Sequence, residues 1–216
     1  LNAGNNDGLG HFRRCLALAH QGQNYGFRSI FVFERDLNKS LKKLLGSFPY
    51  FFTNVARVQG EERENQDAAS TIKQVEDFIK PGTWFVLDSY DLGITWEQHI
   101  KKFGWKLLVI DDLRSREHFA DILLSDSPEP FQKRWYKNQN DCTILAGWEY
   151  CLLDPQYIMT KEARVNENVY KIVLTFGGVD ETHHTIRTVK SLLKIEGFTD
   201  NQKPDKLVSV ELIVGL

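Results

Sequence analysis

A glycine loop that leads into a helix stands near the start of the sequence, where Gly8, Gly10 and His11 precede residues 12–19. The inward face of this helix is predicted at Cys15, Leu16, Leu18 and Ala19. Two glycines allow the backbone to turn tightly and to approach a ligand, and the N–H groups of a first helical turn attract an anion. Histidine exchanges a proton near neutral pH, so His11 is the candidate general base of this stretch. The alternative is a tight helix start in which His11 only caps or packs, because a short glycine pattern is a weak signal.

Acidic and aromatic side chains follow two predicted strands. Asp88 and Tyr90 come directly after one apolar run, and Asp111 and Asp112 come directly after the next. Ligands of parallel α/β sheets lie beyond the carboxyl ends of the strands, so we expect these residues beside the glycine loop. Neighbouring aspartates on a strand face opposite sides, which favours loop ordering or capping over one shared metal ion. Tyr90 either bonds a sugar or base, or is a half-buried aromatic with its hydroxyl in water.

The three cysteines, Cys15, Cys142 and Cys151, are an odd number and form no Cys-x-x-Cys pair. This pattern favours buried free thiols over a disulfide framework or a zinc site. Cys15 lies four residues after His11, and it could serve as a nucleophile only if both side chains faced the same side of the helix. A packing role for Cys15 is therefore the preferred interpretation.

Two further groups give weak signals. His183 and His184 are neighbours on a predicted helix and diverge by about 100°, so they make a poor metal chelate and are expected to face solvent or the edge of a cleft. Thr182 is the predicted N-cap of that helix. The aromatic and basic residues of 131–136 could bind single-stranded nucleic acid, but nearby acidic residues favour a surface loop. We expect neither a metal nor a cofactor.

The composition limits the partners. The 216 residues are 42% hydrophobic and 26% charged with a formal net charge of −2, as in an ordinary globular protein. This balance gives no general attraction to nucleic acid or to an anionic membrane, so an anionic ligand must be held locally. No apolar run approaches the length of a membrane span, which is about 18 residues. No basic and then apolar leader precedes a small-residue cleavage site. A cytoplasmic protein without stable membrane insertion is expected, and its oligomeric state is left open.

Strands alternate with helices along the chain, which predicts an α/β fold with a Rossmann-like parallel sheet. The strands are predicted at 27–33, 55–58, 83–87, 105–110, 121–124, 143–145, 170–175 and 207–214. The helices are predicted after the glycine loop and at 39–45, 67–79, 95–103, 155–164 and 182–195, with 60–65 as a charged loop. A second strand and glycine loop after the linker predicts two domains, an N-terminal one at 1–165 and the incomplete start of a nucleotide-binding one at 168–216. The chain starts without Met and ends on an apolar run, so we expect a fragment.

Several short motifs occur in a fixed order along essentially the whole chain. They are Gly8-x-Gly10-His11-x-x-Arg14-Cys15, Asp88-x-Tyr90, Ile110-Asp111-Asp112, Gly147-x-x-Tyr150 and Thr175-Phe176-Gly177-Gly178-x-Asp180. Together they resemble the hydrolases of UDP-2,4-diacetamido-2,4,6-trideoxy-β-L-altropyranose in pseudaminic acid biosynthesis, which are relatives of the two-domain, MurG-like glycosyltransferases of the GT-B type.

The resemblance implies hydrolysis of a UDP-linked deoxyamino sugar without a metal or a cofactor. Water attacks the anomeric carbon with inversion, UDP leaves, and the family's base falls on His11. The substrate-binding residues that the resemblance implies are Gly8, Gly10, Arg14, Tyr90, Gly177, Gly178 and Asp180. The expected partner is therefore a UDP-sugar substrate.

Two positions depart from the family pattern, because Asn2 replaces an acid and Asp7 replaces an apolar residue. Both lie in the glycine loop and bear on which sugar is bound. Two alternative functions remain open. The first is a glycosyltransferase of the GT-B type, in which an acceptor hydroxyl replaces water, and the second is a nucleotide-sugar binding module without catalysis.

Overall fold

The computed structural model describes residues 9–55, 59–113, 116–127, 141–157, 171–176, 180, 182–195 and 209–213. The chain divides into two compact units, one running from His11 to Pro155 and the other from Gln156 to Leu216. All strand pairs described in either unit are parallel. The predicted α/β class with Rossmann-like parallel sheets is therefore confirmed. Within the described residues, no helix combines the length and the apolar composition needed to cross a bilayer.

The first unit alternates helices and strands. Its elements are α1 (Gly10–Asn24), β1 (Phe31–Phe33), α2 (Lys39–Leu45), β2 (Tyr50–Phe52), α3 (Gly60–Val75), β3 (Trp84–Leu87), α4 (Ile94–Lys101), β4 (Lys106–Ile110), β5 (Ile122–Ser125) and β6 (Thr143–Ala146). Strands β1 and β2 form one parallel sheet, and β3 to β6 form another in chain order. This parallel order sends the carboxyl ends of β3 and β4 to the same edge of the sheet, which is where ligands of such folds bind.

The core of the four-stranded sheet lies under α4. The register aligns Leu87, Val109 and Leu123 across β3, β4 and β5, and all three side chains are almost completely buried. Trp96 and Ile100 of α4 are four residues apart, so they share one face of the helix and pack on this row. The core therefore fixes α4 over the strands that carry the predicted site residues.

Truncating the core side of α4 is expected to cost far more stability than truncating its outer side. Ile100 is completely buried, whereas Ile94 in the same helix is 37% exposed. We expect Ile100→Ala to lower the free energy of unfolding by about 2–5 kcal/mol, because a buried cavity remains. The matched variant Ile94→Ala should change it by well under half of that amount. Urea unfolding followed by circular dichroism measures both, and equal losses would contradict the packing described.

Among its apolar residues, helix α1 buries one large aromatic and two alanines. Phe12, Ala17 and Ala19 are buried, whereas the predicted inward residues Cys15, Leu16 and Leu18 are only partly buried. The ring of Phe12 lies 6.1 Å from that of Phe33 in β1, measured between centroids. Phe12 therefore provides an aromatic contact between α1 and β1.

The second unit contains β7 (Lys171–Thr175), α5 (His184–Leu192) and β8 (Ser209–Ile213). Strands β7 and β8 pair in parallel over five positions. The carboxylate of Asp180 caps α5, since its two oxygens accept from the backbone N–H groups of His184 at 2.8 Å and Thr185 at 2.9 Å. The prediction that Thr182 is the N-cap is therefore wrong, and Asp180 supplies the oxygens instead.

Three further predicted elements differ from the structure. Strand β2 lies at Tyr50–Phe52 rather than at 55–58, of which 56–58 lie outside the described residues. The predicted loop 60–65 is the first part of α3, because its acidic residues favour the positive end of the helix dipole. Of the predicted helix 155–164, residues 155–157 form a single 3₁₀ turn and the rest lie outside the described residues.

Candidate functional site

The carboxyl edge of the four-stranded sheet brings five side chains together. Asp88 follows β3 directly, Asp112 follows β4 by two residues, and α1 contributes residues from its first two turns. We call this group the His11 cluster, and its members are His11, Arg14, Asp88, Tyr90 and Asp112. The predicted gathering of the strand-end residues beside the start of α1 is therefore confirmed.

The imidazole of His11 is oriented by a buried carboxylate. Its Nδ1 lies 2.6 Å from Oδ1 of Asp88, and the two residues are only 6% and 1% exposed. An ionised carboxylate can only accept hydrogen bonds, so Nδ1 of His11 carries the proton in this contact. In the neutral imidazole with this tautomer, Nε2 keeps its lone pair, which is the state that a general base requires.

Arg14 binds the same carboxylate. Its Nε donates to Oδ2 of Asp88 at 2.7 Å and its Nη2 donates to Oδ1 at 2.5 Å, which is the bidentate geometry of a strong ion pair. Burial alone raises the pKa of Asp88, but the bonds from Arg14 and His11 outweigh burial and lower this pKa to about 2. Asp88 is thus ionised at neutral pH and holds two donors at once.

Tyr90 and Asp112 close the other side of the cluster. The ring of Tyr90 meets the imidazole of His11 edge to face, with centroids 4.5 Å apart and planes at 75°. Its hydroxyl donates to Oδ2 of Asp112 at 3.0 Å, and Nη1 of Arg14 donates to the same oxygen at 2.9 Å. Burial and this bond to Asp112 raise the pKa of the Tyr90 phenol, so the neutral form persists at physiological pH. Oδ1 of Asp112 is shielded from solvent and has no partner among the described residues.

Cys15 lies beside the cluster, but its environment does not favour the thiolate that a nucleophile requires. Its thiol donates to Oδ2 of Asp88 at 3.4 Å. Burial, followed by the charge of Asp88, raises the pKa of this thiol far above its usual range. The thiolate form that attacks electrophiles is therefore disfavoured, in agreement with the preferred packing role.

The other predicted binding residues have different positions. Gly10 is the first residue of α1, and a Cβ placed on it would meet no atom of the described residues within 4 Å. Gly8, Gly177 and Gly178 lie outside the described residues. Asp180 lies in the second unit with its carboxylate engaged as the cap of α5, and the bonds from Thr185 and His184 lower its pKa. Its contact with sugar or phosphate stays a prediction.

A second buried network lies next to the His11 cluster and was not predicted. Nδ1 of His118 lies 2.6 Å from Oε1 of Glu97, and its Nε2 lies 3.1 Å from Oδ2 of Asp111. All three residues are at most 5% exposed. Glu97 neighbours Trp96 on the inward side of α4. A charged residue at an inward helical position is the feature of the sequence that could have indicated this network.

The adjacent aspartates serve different partners. Asp111 faces His118 and also accepts from the backbone N–H of Leu113 at 3.1 Å, whereas Asp112 faces Arg14 and Tyr90. The bond from Leu113 shows that Asp111 orders the start of the loop, as expected. Among the described residues, no group of three or more His, Cys, Asp or Glu side chains is arranged to hold a metal ion.

His183 and His184 are exposed, as predicted. His183 has a left-handed backbone with φ of 54° and immediately precedes α5. The ring of His184 stacks on Phe176 at 5.6 Å. The aromatic segment 131–136 lies outside the described residues.

Comparison with known proteins identifies the fold. No family model matches the sequence. An uncharacterized protein of Methanocaldococcus jannaschii is 22% identical over 194 residues, which cover 86% of this chain and 37% of that protein. The crystal structure of Acinetobacter baumannii MurG aligns with 99% of this chain and 64% of the MurG chain, with a TM-score of 0.55 and 12% identity. The chain therefore has a MurG-like fold of the GT-B type and spans only part of the length of either protein.

Proposed function

We propose that the chain belongs to an enzyme that hydrolyses a UDP-linked deoxyamino sugar, with His11 as the general base. The observation that carries this proposal is the buried contact of 2.6 Å between Nδ1 of His11 and Asp88. It supports a fixed tautomer with a free Nε2, at the sheet edge where ligands of such folds bind. The MurG-like fold and the motif resemblance both support a nucleotide sugar as the substrate.

The proposed reaction needs one proton acceptor and one leaving group. Nε2 of His11 takes a proton from water while the water oxygen bonds to the anomeric carbon of the sugar. The bond between that carbon and the phosphate oxygen breaks, and its electron pair leaves with UDP. Asp88 stabilises the resulting imidazolium through the Nδ1–H bond, in the way that an orienting carboxylate supports a catalytic histidine.

The roles that we propose for Arg14 and Tyr90 follow from their contacts. All the donor nitrogens of Arg14 face acceptors within the cluster, so its task is to hold Asp88 and Asp112 rather than to bind a phosphate. This replaces the substrate-binding role that the resemblance implies for Arg14. Tyr90 is 49% exposed and contacts the imidazole, which supports a position at the wall of the sugar site.

The test incubates the protein at its full natural length with the diacetamido-trideoxy-altrose UDP sugar in ¹⁸O-labelled water. Phosphorus and proton NMR record the time course of the reaction. We expect release of UDP, free sugar of inverted configuration and ¹⁸O on the sugar rather than on the phosphate. His11→Ala should abolish this release, whereas His20→Ala, an exposed histidine in the same helix, should retain it. UDP-N-acetylglucosamine serves as the comparison substrate.

Glycosyl transfer is the second candidate, because the MurG-like fold fits it equally well. It predicts that UDP appears only when an acceptor hydroxyl is supplied, and that the ¹⁸O of water does not enter the product. Tight binding of the UDP-sugar without turnover, unchanged by His11→Ala, would indicate a binding module and contradict both reactions.

A further inference from the structure

The loop between β4 and β5 is attached to the turn that carries Tyr90. Nη1 of Arg116 donates to the backbone carbonyl of Tyr90 at 2.7 Å, and its Nη2 donates to the carbonyl of Ser89 at 2.5 Å. A guanidinium is a planar fork, so one side chain fixes both neighbouring carbonyls in one orientation. The backbone that carries the Tyr90 ring is therefore held from outside its own turn.

The same turn is fixed from within by Ser89. Its hydroxyl accepts from the backbone N–H groups of Asp91 at 3.1 Å and Leu92 at 3.3 Å, which closes a short hydrogen-bonded turn. The N–H side of the turn is thus satisfied by Ser89, and the carbonyl side by Arg116. Removing Arg116 leaves the turn closed but frees its two carbonyls to rotate toward water.

The loop that presents Arg116 is anchored to the core. Glu97 of α4 accepts at one carboxylate oxygen from the ring of His118 and at the other from the backbone N–H of Phe119. The other nitrogen of His118 bonds Asp111, which lies seven residues earlier and closes the loop on itself. Arg116 therefore lies two residues before a histidine that is bonded to both α4 and Asp111.

We propose that Arg116 is a positioning residue for the His11 cluster, which holds Tyr90 against the imidazole by fixing the carbonyls of Ser89 and Tyr90. Asp112, at the start of the same loop, receives the Tyr90 hydroxyl, so the loop holds Tyr90 at both its backbone and its side chain. Neither Arg116 nor the Glu97–His118 anchor touches the side chain of His11. Their effect on its chemistry is transmitted through Tyr90 and Asp112. The consequence for turnover rests on the proposed function, whereas the consequence for Tyr90 does not.

The test compares Arg116→Ala with Arg116→Lys and with Arg35→Ala. Arg35 is an exposed arginine whose contact with Glu34, at 3.4 Å, is long and weak. Two readouts need no substrate: the phenol pKa of Tyr90 in protein carrying ¹³C-labelled tyrosine, and the nuclear Overhauser effect between the Tyr90 and His11 rings. In Arg116→Ala we expect the pKa of Tyr90 to fall toward its ordinary value and the ring contact to weaken. Arg116→Lys should give an intermediate result, because an ammonium serves one carbonyl at a time. Arg35→Ala should match the wild type.

Turnover is measured on the same variants. We expect Arg116→Ala to lower kcat by about 10- to 100-fold with little change in KM, as a small misplacement of catalytic groups does. If the wild type shows no turnover while the Tyr90 readouts change as expected, the proposed function fails and the positioning role stands. A thermally stable Arg116→Ala variant with an unchanged Tyr90 pKa and an intact ring contact overturns the positioning role.

Discussion

Replacing Asp88 by Asn is expected to change the tautomer of His11 and to remove most of the proposed hydrolytic activity. The carboxylate supplies two acceptor oxygens to His11 and Arg14, whereas an amide supplies one. When the amide nitrogen faces the imidazole it donates to Nδ1, so the proton moves to Nε2 and the free lone pair is lost. A base in the wrong tautomer costs about 10²- to 10⁴-fold in kcat, and we expect a loss in that range for Asp88→Asn.

The tautomer can be observed without any substrate. ¹⁵N chemical shifts of the His11 ring distinguish a protonated from an unprotonated nitrogen, and we expect Nδ1 to be protonated in the wild type and Nε2 in Asp88→Asn. Asp121→Asn is the control, since Asp121 also accepts from basic side chains, but from those of Lys101 and Lys106 rather than from His11 and Arg14. An unchanged His11 spectrum and full turnover in Asp88→Asn would show that Asp88 does not orient the base.

The fold of Asp88→Asn should survive. Arg14 keeps Asp112 as a counter-charge at 2.9 Å, so the variant leaves no isolated buried cation. Weakening one charged hydrogen-bond partner costs about 1–3 kcal/mol, which a folded domain of this size tolerates. Loss of activity in a folded variant therefore reports on His11 rather than on unfolding.

The positions of Asp88 and Asp112 could be predicted from the sequence because they depend on one rule. Parallel strands end at the same edge of a sheet, and the polar residues that follow apolar runs of β-branched and aromatic residues mark those ends. His11 could be placed beside them for the same reason, since the glycine loop opens the first helix. These predictions needed the order of the strands but no knowledge of side-chain contacts.

The pairing within the cluster could not be predicted in this way. Arg14 and Asp88 are 74 residues apart, and their contact depends on the rotation of α1 over the sheet. The buried residues of α1 are His11, Phe12, Ala17 and Ala19, of which only Ala19 was among the predicted inward residues. The prediction for Arg14, a contact with substrate, did not include the bonds that its three guanidinium nitrogens donate to Asp88 and Asp112.

The buried His118 network was missed for a related reason. A single histidine in a loop between two strands carries no periodic signal, and Glu97 lies in an amphipathic helix where charges are common. Only the packing of α4 on the sheet brings them together, because it places position 97 under the loop. Charged residues at inward helical positions are costly unless paired, so the pairing is a consequence of the packing.

This network makes a definite prediction for stability at alkaline pH. Burial lowers the pKa of His118, but the hydrogen bonds and charges of Asp111 and Glu97 outweigh burial and raise this pKa from 6.5 to about 9. The folded state therefore holds a proton that the unfolded state has released at pH above 6.5. The stabilisation is complete below pH 6.5 and is lost as the pH rises to about 9. The shift corresponds to about 3 kcal/mol, at 1.36 kcal/mol per pKa unit.

Urea unfolding between pH 6 and pH 9 measures this loss. The wild type should lose stability with a slope of up to about 1.4 kcal/mol per pH unit, whereas His118→Gln should be less stable at pH 6 and should show little slope. His99→Gln is the control, because His99 of the same helix is only partly buried and its hydrogen bond to Asn65, at 3.4 Å, is weak. Burial raises the pKa values of the Cys15 and Cys142 thiols, which add a separate loss only above about pH 9, where free thiols in the unfolded chain ionise. A wild-type slope that persists in His118→Gln would show that His118 is not the protonated group, and the Glu97–Asp111 pair would then need another source of positive charge.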